Sequence, residues 1–379
     1  MKKAAVLGVG RMGQAICWSM RELGYYVVGM DNNEHAANNF RKHISCPEGS
    51  FYLTDQNNAD KSMETVLLKH EKPDVVISSL PYHQTEEIAY WCIDNGFRYC
   101  DLGGRVDVSE NINKYAEEKA KVPVLTDLGL APGWVNIMAE EGFRQLGEAD
   151  DILMMVGGLP AKPTNPPLNY EVTWSVDGLI NEYIDDCEII VNGEIRTAKG
   201  MDGLIEVKTK HIGTLEAFYT SGGAAHSIKS MKDRGVKNCA YRTLRYPGHR
   251  DAVKFLLKDA ELTEECIRNI FEKGCVSGED TKDVVVIASI VKAWPLSWKN
   301  WIIIEGSNDT GGFSAMQKCT AFPISSVAAM MADGILDSEA RKQQHRDYYT
   351  YPSSALTYKD VPYQELGKRL TQLGVVDEQ

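Results

Sequence analysis

The densest chemical signal lies near the start of the chain. Gly8, Gly10 and Gly13 form G-x-G-x-x-G within Val6-Leu7-Gly8-Val9-Gly10-Arg11-Met12-Gly13. The motif follows a short apolar run from Ala4 and opens a segment, Met12 to Leu23, with apolar residues at helical spacing. In such a strand–turn–helix the first glycine permits the tight turn and the second lets backbone approach a pyrophosphate. The third lets helix and strand pack closely. The N–H groups at the helix start, around Arg11 and Met12, then face the phosphates. Asp31 follows Gly13 by 18 residues, at the end of a second strand over Tyr26–Met30. An acid there accepts hydrogen bonds from ribose hydroxyls. Asn32 and Asn33 follow it with no arginine, so a 2′-phosphate would meet an uncompensated carboxylate, and NAD is expected over NADP. Asp55, after a third strand at Phe51–Leu53, is a candidate for the adenine edge.

Further strand ends point to the same zone. Ser79-Leu80-Pro81-Tyr82-His83 follows a strand over Asp74–Ser79, and Pro81 is expected to stop it and throw Tyr82 and His83 towards the crevice. Asp101-Leu102-Gly103-Gly104 and Asp127-Leu128-Gly129-Leu130-Ala131-Pro132-Gly133 each end a strand in Asp before a glycine turn. Ligands of open α/β sheets bind outside the carboxyl ends of strands, so Ser79, Leu80, Pro81 and Gly103 are candidates for the cofactor and Asp101 and Asp127 for the reaction. Later in the chain, Arg242 to Arg250 packs three Arg and His249 into nine residues. Arginine's fork suits carboxylates, so this run reads as a carboxylate-binding patch.

The elements that must position these groups are legible. Residues 1–133 alternate strand and helix patterns, which implies a parallel sheet with helices on both faces: a Rossmann-type α/β domain. After Pro132-Gly133 a helix over Val135–Leu146 leads into β-rich segments at 152–156, 187–191, 203–210, 215–220, 241–246, 284–291 and 301–304. Pro- and Gly-rich connections separate them, notably Leu159–Pro167. A second, α+β domain with a mostly antiparallel sheet is expected over 134–319. The run Ala293–Trp301 holds three tryptophans and reads as a strand–turn–strand elaboration or as a partner surface, with burial in the core the favoured place for its tryptophans. The length of 379 residues fits two domains. A net charge of −12 disfavours nucleic acid, and no apolar stretch is long enough to span a membrane. Met1-Lys2-Lys3 runs straight into a strand with no cleavage site, so no signal peptide is expected. Nine cysteines, an odd count with no CxxC, read as reduced thiols in a cytoplasmic protein without a structural metal.

Taken in order, these motifs resemble the saccharopine dehydrogenase-like proteins, most closely the L-lysine 6-dehydrogenase branch. Further matching pieces are Gly157-Gly158-Leu159-Pro160, Trp174–Leu179 with Glu182-Tyr183, Leu215–Gly223 and Arg245-Tyr246-Pro247-Gly248-His249. Arg242 stands where that branch leads one to expect lysine. The resemblance implies a dinucleotide domain at 1–133 completed by about 320–379, a substrate and dimerisation domain between, and a homo-oligomer. It implies NAD-dependent oxidative deamination of an amino-acid side-chain amine, lysine at its ε-carbon, giving a semialdehyde, ammonia and NADH. Arg242, Arg245 or His249 would hold the α-carboxylate, Asp127 or Glu171 an ammonium, with Thr220 and Asp101 also at the substrate. Tyr82, Asp127 or His249 would take the amine proton. The alternatives are a saccharopine dehydrogenase acting on a secondary amine, a more distant carboxyspermidine-type dehydrogenase, and a catalytically silent NAD-binding sensor or scaffold.

Overall fold

The computed structural model describes residues 1–45, 47–55, 59–166, 168–260, 262–276, 282–306, 311–338 and 353–377. Cys46, Pro167 and residues 339–352 of the C-terminal segment, all used in the sequence reading, lie outside the described residues. The described residues form two compact units, one of 1–134, 311–313 and those from 317 onward, the other of 135–306 with 314–316.

The first unit is built on six parallel strands: β1 (Lys3–Leu7), β2 (Tyr26–Asp31), β3 (Gly49–Leu53), β4 (Val75–Ser78), β5 (Tyr99–Asp101) and β6 (Val124–Leu125). They lie in the order β3-β2-β1-β4-β5-β6. Its helices are α1 (Arg11–Glu22), α2 (Glu34–His43), α3 (Ala59–Met63, continued by a wider helical segment over Glu64–Glu71), α4 (Tyr82–Asp94) and α5 (Val106–Lys119). The strand order reverses between β1 and β4, which opens a crevice at their carboxyl ends. Central strands are apolar throughout because both faces are covered. Ala4, Ala5, Val6, Val75, Val76 and Ile77 have no exposed surface. The late helix Ala315–Ala332 completes this unit: Ser19 on α1 donates to Ser325 Oγ at 2.6 Å and Tyr25 to the Ala329 carbonyl at 3.0 Å.

The second unit begins with α6 (Trp134–Leu146), then β7 (Asp151–Pro160), α7 (Val176–Ile184), β8 (Cys187–Val191), β9 (Glu194–Ala198), β10 (Ile205–Thr209) and β11 (Gly213–Phe218). There follow α8 (Ser227–Asp233), β12 (Asn238–Arg245), α9 (His249–Lys254), α10 (Glu264–Gly274), β13 (Asp283–Ala293) and β14 (Leu296–Glu305). The sheet runs β10-β11-β12-β7-β13-β14, with β8 bridging to β12 and pairing with β9. Every pair is antiparallel except β7 with β12.

Two expectations are corrected here. Leu159 and Pro160, assigned to a connection, belong to β7, because β13 pairs with that strand out to Pro160. Trp294 is 87% exposed rather than core: it occupies the two-residue turn between Ala293 and Leu296, where no layer covers it. Trp301 on the edge strand β14 is 37% exposed, while Trp298 packs against Gly142 of α6.

Candidate functional site

In the first unit the glycine turn is assembled as a cradle. Gly8 holds φ +85°, and a Cβ there would meet the Ser79 carbonyl at 2.9 Å and the Leu80 side chain at 3.0 Å. A Cβ on Gly13 would collide with the Gly8 carbonyl, whereas one on Gly10 would meet only open space. Thus Gly8 and Gly13 serve turn and packing, and Gly10 leaves room for a ligand. No side chain caps the start of α1 at Gly10, so its first N–H groups are left for an anion. Asp31 Oδ2 accepts from Val9 N at 2.6 Å and Oδ1 from Asn33 N at 2.8 Å, which fixes the carboxylate beside the turn. These features fit a dinucleotide. Arg11 and Asn32 are exposed and Met12 half-buried around the same turn. Asp55 is exposed beyond β3, and its backbone N donates to Ser62 at 3.4 Å.

Across the strand-order reversal, Ser79 N donates to the Leu7 carbonyl at 2.8 Å, which ties the end of β4 to β1. Pro81 is the residue before α4, so Tyr82 and His83 form that helix's first turn instead of hanging in a loop. Tyr82 stays 37% exposed, with its Cβ packed beside Gly104 and the Arg105 guanidinium 5.8 Å from its ring.

Asp101 and Asp127 meet at the ends of β5 and β6. Asp101 is 2% exposed, and its Oδ1 accepts from Gly103 N at 2.9 Å and from Asp127 N at 3.0 Å. Its carboxyl therefore shapes both turns. Burial, and then the neighbouring Asp127 carboxylate, push its pKa up to about 7 against the pull of those two N–H groups. Asp127 is held at φ +57°, its carbonyl accepts from Tyr358 at 2.9 Å, and the space a Gly103 Cβ would need is filled by the Asp127 carboxylate.

In the second unit the run Arg242–Arg250 does not form one patch. Residues three apart on a strand face opposite ways. Arg242 packs on Tyr219, its centre 4.3 Å from the ring and Nη2 donating to the hydroxyl at 3.0 Å. Arg245 points to the other face, buried between Tyr170 and Tyr183. Arg250 spends its Nε on the Met201 carbonyl at 2.8 Å.

His249 is also corrected. It is 1% exposed, with Nδ1 2.6 Å from the Leu168 carbonyl and Nε2 2.9 Å from the Tyr183 hydroxyl. The carbonyl only accepts, so Nδ1 carries the proton and Nε2 accepts from Tyr183. Tyr183 in turn accepts from Arg245 Nε at 2.8 Å. Burial, reinforced by the Arg245 charge, lowers the His249 pKa to about 3. The ring has no free lone pair: it orients Tyr183 and, through it, Arg245. Burial alone would disfavour the Arg245 charge, but Tyr183, Tyr170 and Glu182 around it hold its pKa above the ordinary value.

Thr220 is buried on the Arg245 face, its hydroxyl 2.8 Å from that of Thr243. Glu171, proposed for an ammonium, is buried close enough to Cys275 for its charge to raise that thiol's pKa. Sequence reasoning gave no role to Tyr170, Tyr183 or Glu182. The signal was present in α7, where Leu179, Ile180 and Tyr183 make the buried stripe and Glu182, three residues after Leu179, borders it.

Comparisons with known proteins reach both units. A model described as saccharopine dehydrogenase NADP binding domain matches residues 4–124, and one described as saccharopine dehydrogenase C-terminal domain matches residues 129–348. The chain is 28% identical over 135 residues to the mitochondrial alpha-aminoadipic semialdehyde synthase of Rattus norvegicus, covering 34% of this chain and 14% of that protein. It is 25% identical over 222 residues to the NADP(+), L-glutamate-forming saccharopine dehydrogenase of Schizosaccharomyces pombe, covering 55% of this chain and 47% of that protein. The matched stretch thus spans half or less of these relatives. In fold, the apo L-Glu-forming saccharopine dehydrogenase of Saccharomyces cerevisiae superposes with TM-score 0.73 at 16% identity, over 98% of this chain and 97% of that one.

Proposed function

Because the chain belongs to the saccharopine dehydrogenase family, we propose that it oxidises a side-chain amine of an amino acid with a nicotinamide dinucleotide, and that the amino acid is L-lysine. The observation that carries the choice is the division of the arginines. Arg245 faces the buried side of β12 covered by α7, while Arg242 lies on the opposite face, its Nη2 on the Tyr219 hydroxyl and its Nε and Nη1 without a hydrogen-bond partner among the described residues. One buried fork suits a substrate with one carboxylate; saccharopine carries three. The relatives that bear saccharopine dehydrogenase names keep that secondary amine as the second reading.

In this reading residues 1–133 with about 320–379 hold the dinucleotide, and 134–319 hold the substrate and pair the subunits of a homo-oligomer. Arg245, fixed by Tyr183 and His249, binds the α-carboxylate. The reacting amine must first lose a proton, because an ammonium has no lone pair to assist departure of hydride. Asp127 or Tyr82 takes it. A nicotinamide held by the first unit would supply the acceptor for the hydride leaving the ε-carbon. Water then adds to the resulting substrate iminium and ammonia leaves, giving the semialdehyde. The test is reduction of NAD+ with L-lysine and, separately, with saccharopine, with ammonia assayed in parallel. Lysine-dependent reduction with equimolar ammonia is expected. Turnover of saccharopine alone, without ammonia, would transfer the assignment to the second reading. Tight dinucleotide binding with no amine oxidised would favour a sensor. Among the described residues no helix is long and apolar enough to cross a membrane. A cytoplasmic location is proposed from the cysteines, an odd count with no CxxC.

NAD is proposed over NADP although the matching domain description names NADP. The carboxylate of Asp31 stands at the turn, where a 2′-phosphate would be repelled. Asp31→Asn keeps an oxygen for Val9 N but removes the charge. It is expected to shrink the NAD+ over NADP+ preference in kcat/KM by about tenfold, a little over 1 kcal/mol of repulsion. An unchanged ratio would show that Asp31 sets no preference.

His249 supplies a further check. With its pKa lowered to about 3, it is neutral throughout the working range. His249→Asn should lower kcat/KM through the loosened Arg245 while the inflections of the pH–rate profile stay in place. Loss of the acidic-limb inflection in this variant would restore His249 as the base.

A further inference from the structure

On the Arg245 face of the second unit, α7 presents a carboxylate that the fold itself does not use. Glu182 sits beside Tyr183, and the turn carrying it is tied down: Ser221 N donates to the Glu182 carbonyl at 3.0 Å and Ser221 Oγ to the Asn181 carbonyl at 3.3 Å. The same loop lies on Tyr241, since a Cβ on Gly223 would enter that ring. The backbone at Glu182 is thereby tied to the loop that packs on Tyr241 of the sheet.

Its side chain keeps some accessible surface, yet no described residue hydrogen-bonds or ion-pairs with its carboxylate. Desolvation lifts its pKa to about 7, with Arg245 pulling the other way. Its charge is felt at Tyr170, Tyr183, Tyr241 and Arg245, the groups that face it from the preceding loop, from α7 and from β12. A half-buried carboxylate without a protein donor among the described residues is open to a partner that the folded chain does not supply. Arg245 has the complementary need. Its Nε goes to Tyr183 and its Nη1 to the Leu244 carbonyl at 2.9 Å, which leaves Nη2 for a ligand. A ligand that satisfies both groups carries an anion and a cation close together.

We infer that Glu182 binds the α-ammonium of the substrate whose α-carboxylate Arg245 holds. The second unit is then a receptor for the zwitterionic end of an L-amino acid, and the distal amine is left to be oxidised. This assigns the ammonium to Glu182 in place of Asp127 or Glu171, and it rests on the amino-acid reading above.

The experiment compares L-lysine with 6-aminohexanoate, which keeps the carboxylate and the distal amine but lacks the α-amine. The wild-type protein is expected to prefer L-lysine by about thirtyfold in kcat/KM, the scale of a desolvated charged hydrogen bond. Glu182→Gln should lose about tenfold or more for L-lysine, mainly in KM, and change little for 6-aminohexanoate, so that the preference collapses. Glu182→Asp should fall between the two. Equal losses for both compounds, or an intact preference in Glu182→Gln, would overturn the inference.

A melting curve separates a structural role from this one. Gln need not ionise in the site, so the variant should melt no lower than wild type, and a marked drop would count against a ligand role. If wild type oxidises neither compound, the proposed reaction fails on its own, and calorimetric titration still decides for Glu182. L-Lysine bound by wild type with NAD+ present and lost in Glu182→Gln upholds the inference. Equal binding, or no binding of L-lysine by wild type, overturns it.

Discussion

Gly13→Ala is expected to abolish dinucleotide binding and to lower the melting temperature together, whereas Gly10→Ala should abolish binding alone. The distinction is geometric. The Cβ of an alanine at 13 would fall inside the Gly8 carbonyl, and both atoms belong to backbone that cannot move independently of β1 and α1. Relief requires α1 to separate from the strand, and a backbone collision of this kind belongs with the substitutions that cost about 4 kcal/mol or more. At Gly10 the added methyl meets nothing in the protein. It projects into the open space beside the uncapped start of α1, where the pyrophosphate is proposed to lie. Thermal melts and NAD+ titrations of the two variants check this directly. Normal NAD+ binding by Gly10→Ala would place the dinucleotide elsewhere.

The second large effect belongs to Asp101. Asp101→Ala removes the one oxygen that accepts from both Gly103 N and Asp127 N. Asp127 N is buried and Gly103 N partly so; a buried donor left without an acceptor costs about 1–3 kcal/mol, so a loss of about 2–4 kcal/mol is expected, with Asp127 released from its turn. Asp101→Asn retains an acceptor oxygen and should fold, and its effect is on the pH dependence.

The Asp101 pKa is raised from 3.8 to about 7, so the folded state holds this proton more tightly than the unfolded chain does. Asp101 therefore favours folding most at low pH, and that contribution fades as pH rises from about 4 through about 7. Glu182 acts in the same direction. Melting temperatures measured across this window should fall less steeply with rising pH in Asp101→Asn than in wild type. An identical slope would mean that Asp101 ionises normally in the folded protein.

Much of the first unit could be read from residue types. Continuous apolar runs at 4–7 and 75–78, glycines at 8, 10 and 13, and an acid at 31 specify parallel strands, a tight strand-to-helix turn and a carboxylate fixed beside it. Each of these depends on neighbours within a few residues or on one repeated unit, and local patterning records such constraints. The match of both halves to saccharopine dehydrogenase domains agrees with the family reading made from the ordered motifs.

The second unit was legible in its strands and misleading in its site. Three arginines and a histidine in nine residues suggested one cationic patch, but strand alternation at β12 sends Arg242 and Arg245 to opposite faces, and His249 begins a helix of its own. Composition counts charges without assigning them a side of the sheet. Trp294 misled in the same way: aromatics favour the core, yet the two-residue turn between β13 and β14 leaves this one uncovered.

From residue order alone follow the fold class, the glycine turn and the acids at the strand ends, because these rest on short-range periodicity and backbone freedom. The protonation state of His249, the single inward-facing arginine and the unpaired carboxylate of Glu182 do not. They depend on which groups from distant segments, Leu168, Tyr183, Ser221 and Arg245, are packed together away from water. Desolvation and hydrogen-bond satisfaction are properties of that packed neighbourhood, and no spacing along the chain encodes them singly.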